Sequence, residues 1–353
     1  MPRAHTLIWA QKYYFFFNYA NILTYFYTFA PEYAFFICTC PKKAVPLSPK
    51  MNTNDMKRER STFFIVCIWL LLMMAGAAAA MLLWALLTDR TSVAALKTLQ
   101  ALQVLCLFIA PALLIAWLFR DRPFSWLHLD TCPSAKTFLL AALIMLILLP
   151  GINLLSYWNQ QLTLPFFLHD LEEWMKQMEE QNDNLLKLFL SDQTVFGFII
   201  NLGLMALLPA VGEELAFRGV LQGLLTSKNT MNTRYSTPHT AIWITAFIFS
   251  FVHFQFYGFL PRMLMGALFG YVLFWTGSLW VTMLMHFTNN AAAIVCYFVC
   301  QRCGYATDSL DAFGSGDTLW LGLISLILGI ICIYLFRRSL TMSRASSLTS
   351  SGN

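Results

Sequence analysis

Four polar side chains interrupt long apolar runs at positions where they could do chemistry: Glu213, His253, His286 and Asn290. The first lies in LLPAVGEELAFRGVL (207–221), the second in FIFSFVHFQF (247–256), and the last two in VTMLMHFTNNAAAIV (281–295). Ionisable groups within membrane spans are costly and are more often functional than incidental. Glu214 and Arg218 are four apart, so they share a helix face and can pair, which lowers the cost of holding both at depth. Glu213 lies about 100° around the same helix with no partner there. A carboxylate held in that way suits general-base work. His253 shares a face with Phe249. His286 and Asn290 are again at i and i+4.

One carboxylate, two imidazoles and one amide on three helices can activate a water and steady an oxyanion. Glu213, helped by His253, would take a proton from water attacking a carbonyl. His286 and Asn290 would donate to the tetrahedral oxygen. Two histidines and a glutamate also match a catalytic zinc site in residue type, with Glu213, His253 and His286 as ligands. The H-E-x-x-H helix is absent, so such a site would draw its ligands from separate helices. Zinc therefore stays open and no cofactor is certain. Plainer readings stand beside these. The charges at 213–218 could mark the cytoplasmic end of a span, His253 could be a packed aromatic, and His286 with Asn290 could join helices, as Asn289 could.

Elements that must position these groups follow from composition. The chain has 353 residues, 58% hydrophobic and 12% charged, where a soluble domain carries about 25% charged residues. Lipid offers no partner to a free backbone amide, so the chain reads as an all-α, polytopic transmembrane bundle of about eight spans. The expected spans are about 63–87, 101–119, 138–158, 195–216, 241–256, 260–275, 279–300 and 319–336, the sixth being short. The formal net charge of +5 is modest and does not suggest nucleic acid.

Loop charges agree on one topology. Lys57, Arg58 and Arg60, then Arg120, Arg122 and Lys136, then Arg218, Lys228 and Arg234, and finally Arg337, Arg338 and Arg344 fall on one side. By the positive-inside rule both termini are cytoplasmic. Acids collect on the other side, at 170–183 and at Asp308, Asp311 and Asp317. There, Leu171, Trp174, Met175, Met178, Leu185 and Phe189 recur at helical spacing, which predicts an amphipathic helix lying on the outer interface, capping the bundle or serving as a solvated connector.

Residues 1–50 are an aromatic-rich extension, unlike a signal peptide or a good span; the working protein is expected to begin at Met51 or Met56. Residues 51–194 read as N-terminal transmembrane helices plus the amphipathic helix, 195–300 as the catalytic core, and 301–353 as a last transmembrane helix with a basic, Ser-rich cytoplasmic tail. Cys67, Cys106, Cys296 and Cys332 read as packing residues in helices. Cys300 and Cys303 form a lone C-x-x-C with no second pair beside it. No G-x-S-x-G turn lies within a span, and no two aspartates sit in neighbouring spans. No long repeat supports a transporter.

The order of motifs, EELAFR, then FSFVH, then HFTNN, with GALFGYVLFWTGSLW before the last, resembles the CPBP family of CAAX proteases and bacteriocin-processing enzymes, also called Abi. The likeness spans about 195–295. It implies an intramembrane endopeptidase of the metalloprotease or glutamate type acting on a membrane-associated protein or peptide in the inner, or plasma, membrane. By motif Glu213 would be the catalytic glutamate, His253 its helper, and His286 and Asn290 the oxyanion site. Glu214, Arg218 and Phe249 would be supporting positions. The alternative is a non-catalytic scaffold or bacteriocin-immunity protein using the same polar groups for binding. One tension remains: Glu213 near the inner end of its span sits too shallow for His253, about 18 Å from Ala241.

Overall fold

The computed structural model describes residues 62–87, 89, 92–226, 237–305 and 313–350, with side chains to 342. The aromatic-rich extension, the expected start at Met51 or Met56, the basic residues Lys57, Arg58, Arg60, Lys228 and Arg234, and Asp308 and Asp311 lie outside the described residues, as does the side chain of Arg344. All the described residues belong to the unit Arg60–Asn353.

The chain is a helical bundle, and no strand occurs among the described residues. In order come α1 (Thr62–Ala85), α2 (Val93–Phe119), α3 (Ala135–Gln160), α4 (His169–Phe189), α5 (Val195–Leu225), α6 (Pro238–Phe251), α7 (Phe259–Thr276), α8 (Leu279–Cys303) and α9 (Leu319–Ser350). Seven helices among the described residues are long and apolar enough to cross a membrane; α4 is not apolar, and α6 is apolar but spans only 14 residues. The short member is therefore the fifth expected span and not the sixth. Because α6 and α7 pack along each other and are joined by a short turn, α6 still runs opposite to α7, and the order of the eight apolar segments is kept.

Side-chain caps start several helices: Ser92, Ser134, Thr194 and Thr237 each accept a backbone N–H three residues on. Each satisfies a donor that the helix itself leaves free. In α2 and α5 the turns widen to π geometry at Val104–Ile109 and Leu202–Leu207, just before Pro111 and Pro209. A proline lacks the N–H and clashes with the carbonyl four residues back, and a wider turn relieves both. α5 widens again at Glu214–Gln222, directly after Glu213.

α5 lies against α2, α6 and α8, and the apolar core there joins Ile115, Phe217, Val220, Phe249, Leu273 and Leu279. A second core joins α3, α7, α8 and α9 through Met145, Phe269, Met285 and Phe336. Lipid would face the many exposed apolar side chains, among them Leu71, Trp117, Ile199 and Ile330. The expected amphipathic helix is α4. It buries Met178 and Phe189 and rests on α2 and on the turn Phe256–Gly258, while Leu171 stays exposed.

Two expectations about side chains change. Cys296 is exposed and does not pack in the bundle, whereas Cys67, Cys106 and Cys332 are partly covered. Asn289 bonds its neighbour Asn290 (Nδ2 to Oδ1, 3.2 Å) and does not cross-link helices. Cys300 and Cys303 lie in the last turns of α8 with free thiols.

Candidate functional site

α5 runs to Leu225, nine residues past the expected end, so Glu213 sits well inside it, about 18 Å from Leu225 at the helical rise. That removes the depth tension: the carboxylate is deeper than the span prediction placed it.

Adjacent positions on α5 lie about 100° apart, and the two glutamates meet different partners. Glu214 and Arg218 have no solvent exposure, and Arg218 Nη1 donates to Glu214 Oε1 at 2.8 Å. The guanidinium also donates through Nη2 to the carbonyl of Gly266 at 3.1 Å and lies over the Phe249 ring, 4.2 Å from its centroid. One turn on, Gln222 Nε2 donates to the carbonyl of Gly270 at 3.2 Å. Gly266 and Gly270 permit this approach. A Cβ on the first would meet Arg218 Nη2 at 3.1 Å, and one on the second would meet Gln222 Oε1 at 2.8 Å. Two side chains four apart on α5 thus grip two carbonyls four apart on α7.

His286 is 6% exposed. Its Nδ1 is 3.0 Å from Glu214 Oε1, so Nδ1–H donates to the carboxylate, and its Nε2 is 3.9 Å from Glu213 Oε2. Phe269 stacks on the ring at 5.5 Å between centroids, and Phe249 meets it edge-on at 6.1 Å. The start of α8 is fixed from the turn after α2: Leu279 N–H donates to His128 O, Ser278 Oγ to Thr131 O and Trp280 Nε1 to Leu129 O.

His253 was expected inside a helix ending near Phe256. Instead α6 stops at Phe251 and His253 lies in the turn beyond it. Its Nδ1 is 2.6 Å from Phe249 O. A carbonyl only accepts, so Nδ1 carries the proton and Nε2 is left with its lone pair when the ring is neutral. The ring thereby takes the carbonyl that a continuing helix would give to the backbone N–H of residue 253. Phe254 follows with φ +53°. Nε2 of His253 stands 3.6 Å from Glu213 Oε2.

Glu213, His253 and His286 are thus brought together on one carboxylate oxygen. Asn290 lies one turn further along α8. Its Oδ1 accepts from Asn289, and its own amide makes no bond to Glu213 or either imidazole. Phe249 touches Arg218 and both rings. Sequence reasoning missed Gln222, Phe269 and Asn159, the last being a buried side chain of α3 that bonds the turn carrying His253. Gln222 follows Arg218 at the same spacing that marked the Glu214–Arg218 pair, which was the available signal.

The zinc question can be put to this geometry. Both rings hold Nδ1 on a carbonyl or carboxylate, as ring ligands do. Ligand atoms on one tetrahedral zinc stand about 3.3 Å apart, whereas Glu213 Oε2 is 3.6 and 3.9 Å from the two Nε2 atoms. Among the described residues no group of three His, Cys, Asp or Glu side chains is placed to hold a metal. The donors fit in type and not in spacing.

Residues 195–292 match the family described as Rce1-like: type II CAAX prenyl endopeptidase Rce1-like. The matched segment begins at the first residue of α5 and ends within α8, past Asn290. It agrees with the CPBP/CAAX resemblance and supports a CAAX-type intramembrane endopeptidase in general terms. No curated protein and no solved structure matches the chain.

Proposed function

We propose that this multi-pass membrane protein is an intramembrane endopeptidase in which Glu213 and His253 activate water, and His286 with Asn290 binds the oxyanion. The observation that carries the reading is the convergence of two imidazole Nε2 atoms on Glu213 Oε2, at 3.6 and 3.9 Å, with the carboxylate on α5, His286 on α8 and His253 in the turn after α6.

A water between Glu213 and His253 donates one O–H to the carboxylate and one to the lone pair of Nε2. Its oxygen then attacks the scissile carbonyl. A C–O bond forms as the proton passes to Glu213. The carbonyl oxygen becomes an anion, and it accepts from the amide of Asn290 and from Nε2–H of His286 in its imidazolium form. Glu214 takes Nδ1–H of that ring and fixes its orientation. The tetrahedral intermediate collapses, the C–N bond breaks, and the proton held by Glu213 goes to the departing amine. No step passes through a metal.

The substrate is a membrane-associated protein or peptide whose scissile bond reaches this depth. The membrane is the inner, or plasma, membrane with both termini cytoplasmic, which the loop charges favour. The test is cleavage of membrane-anchored peptides, a prenylated CAAX peptide among them, by the purified protein in liposomes. Cleavage lost in Glu213→Gln and His253→Ala, with both variants still folded, supports the reading. Cleavage retained by both overturns it.

A further inference from the structure

His253 stands beyond the last turn of α6, so no helix of its own holds it. The ring is tied to Phe249 O, but the chain that bears it must be fixed from elsewhere. Phe254, the next residue, is a non-glycine with φ +53°, a conformation that persists only where the surroundings over-determine it.

Asn159 supplies much of that determination. It is one residue from the end of α3 and is 6% exposed. Its Nδ2 donates to Phe256 O at 2.7 Å, and its Oδ1 accepts the N–H of Leu260 at 3.2 Å. Leu260 is the second residue of α7, so its N–H has no partner within the helix. Phe256 O lies in the turn that follows His253. One amide thus closes the turn onto the start of α7 with both its arms. Aspartate lacks the donor, and leucine leaves the N–H of Leu260 unpaired and Phe256 O with its bond from the Phe259 N–H but without the one that ties it to α3. Two further bonds complete the frame: Ser250 Oγ to Phe259 O at 2.7 Å, and Arg262 Nη1 to Gln255 O at 3.2 Å.

We infer that Asn159 is a positioning residue for His253, acting from a helix outside the segment 195–292 that matches the endopeptidase family. The inference rests on the proposed function and extends its machinery to α3. Asn159 does not touch Glu213. Its effect passes through the turn: without the Phe256 bond the backbone relaxes, and Nε2 of His253 leaves its station beside the carboxylate. A displacement of about 1 Å at a reacting group costs about 10²-fold in rate.

The experiment uses the full-length protein in liposomes with ¹³C,¹⁵N-histidine labelling, the His253 signal being assigned by its loss in His253→Ala. Asn159→Leu should shift the His253 ring signals while leaving those of His286 in place. Asn159→Asp, which keeps the bond to Leu260 N–H, should fall between wild type and leucine. On a prenylated CAAX peptide the leucine variant should lower kcat about 10²-fold with KM within about threefold. A purely structural part for Asn159 would lower the unfolding temperature of both variants without moving the His253 ring signals, and that result overturns the inference whether or not the peptide is cut. If the ring signals move as expected but wild type and Glu213→Gln cut equally well, the positioning stands and the endopeptidase reading falls.

Discussion

His286 Nδ1 lies 3.0 Å from Glu214 Oε1, the same oxygen that takes the Arg218 guanidinium at 2.8 Å. One buried carboxylate oxygen therefore neutralises a cation of its own helix and orients a ring on another. Its neighbour in sequence, Glu213, is left to face the two imidazoles.

Removing only Arg218 takes the guanidinium from a carboxylate with no solvent exposure and leaves it the Nδ1–H of His286. Arg218→Met should cost about 3–5 kcal/mol, read as a lowered unfolding temperature in detergent. The double variant Glu214→Leu/Arg218→Met should recover much of that loss. It should not recover cleavage, because Nδ1 of His286 has lost its acceptor. A double variant that is both stable and fully active would show that Glu214 does not orient the ring.

Asn290 is argued to meet charge that exists only in the transition state. Asn290→Ala should therefore lower kcat about 10²–10³-fold and leave KM nearly unchanged. A rise in KM with constant kcat would move Asn290 from oxyanion binding to ground-state substrate binding.

The grip of α5 on α7 predicts a pair of results at the glycines. A Cβ at Gly270 would lie 2.8 Å from both Gln222 Oε1 and Ile242 Cγ2, and one at Gly266 would lie 3.1 Å from Arg218 Nη2 and Phe249 Cδ1. Each alanine should destabilise by about 1–3 kcal/mol. Gly266→Ala should also reduce cleavage of the prenylated peptide, since it presses on the cation and on the ring that touches both histidines. Gly270→Ala, one turn further away, should affect stability more than rate.

Much of this site was legible in the chain because its polar members are isolated in apolar runs. The Glu214–Arg218 pair followed from spacing alone, and so did the amphipathic α4, whose Met178 and Phe189 are buried. What was not legible depends on where helices stop. The apolar run through 256 hid the end of α6 at Phe251, since the signal that ends it is a histidine ring taking a backbone carbonyl. The run in α5 seemed to end at charged residues, yet those charges are paired inside the bundle and the helix continues to Leu225. Asn159 lies just past the expected span end at 158 and drew no reading, because its two backbone partners lie about 100 residues away in sequence.

α4 carries a pH dependence of its own. Burial raises the Glu179 carboxyl above its ordinary value of 4.5, Asp183 on the same helix adds to this, and Arg262 on α7 opposes it. Tyr257, in the turn on which α4 rests, interacts with Lys176, Glu172 and Glu179 of α4. The docked state therefore holds more protons than the undocked one between 4.5 and the raised value. Docking of α4 should be firmest below that window and should weaken as pH rises through it. Asp183, raised in the same sense by burial, acts in the same direction. Hydrogen exchange of α4 against pH should report this slope, and Glu179→Gln should flatten it. An unchanged slope in that variant would assign the dependence to other groups.

The central claim is that Glu213 takes the proton from the attacking water. Its most direct measurement is the single-turnover rate of peptide cleavage by purified wild type and Glu213→Gln in liposomes, using membrane-anchored peptides with products identified by mass. The amide preserves shape and removes the base, so the rate should fall about 10²–10⁴-fold while the unfolding temperature stays near that of wild type. A folded Glu213→Gln protein that cuts the same bond at the wild-type rate would contradict the account.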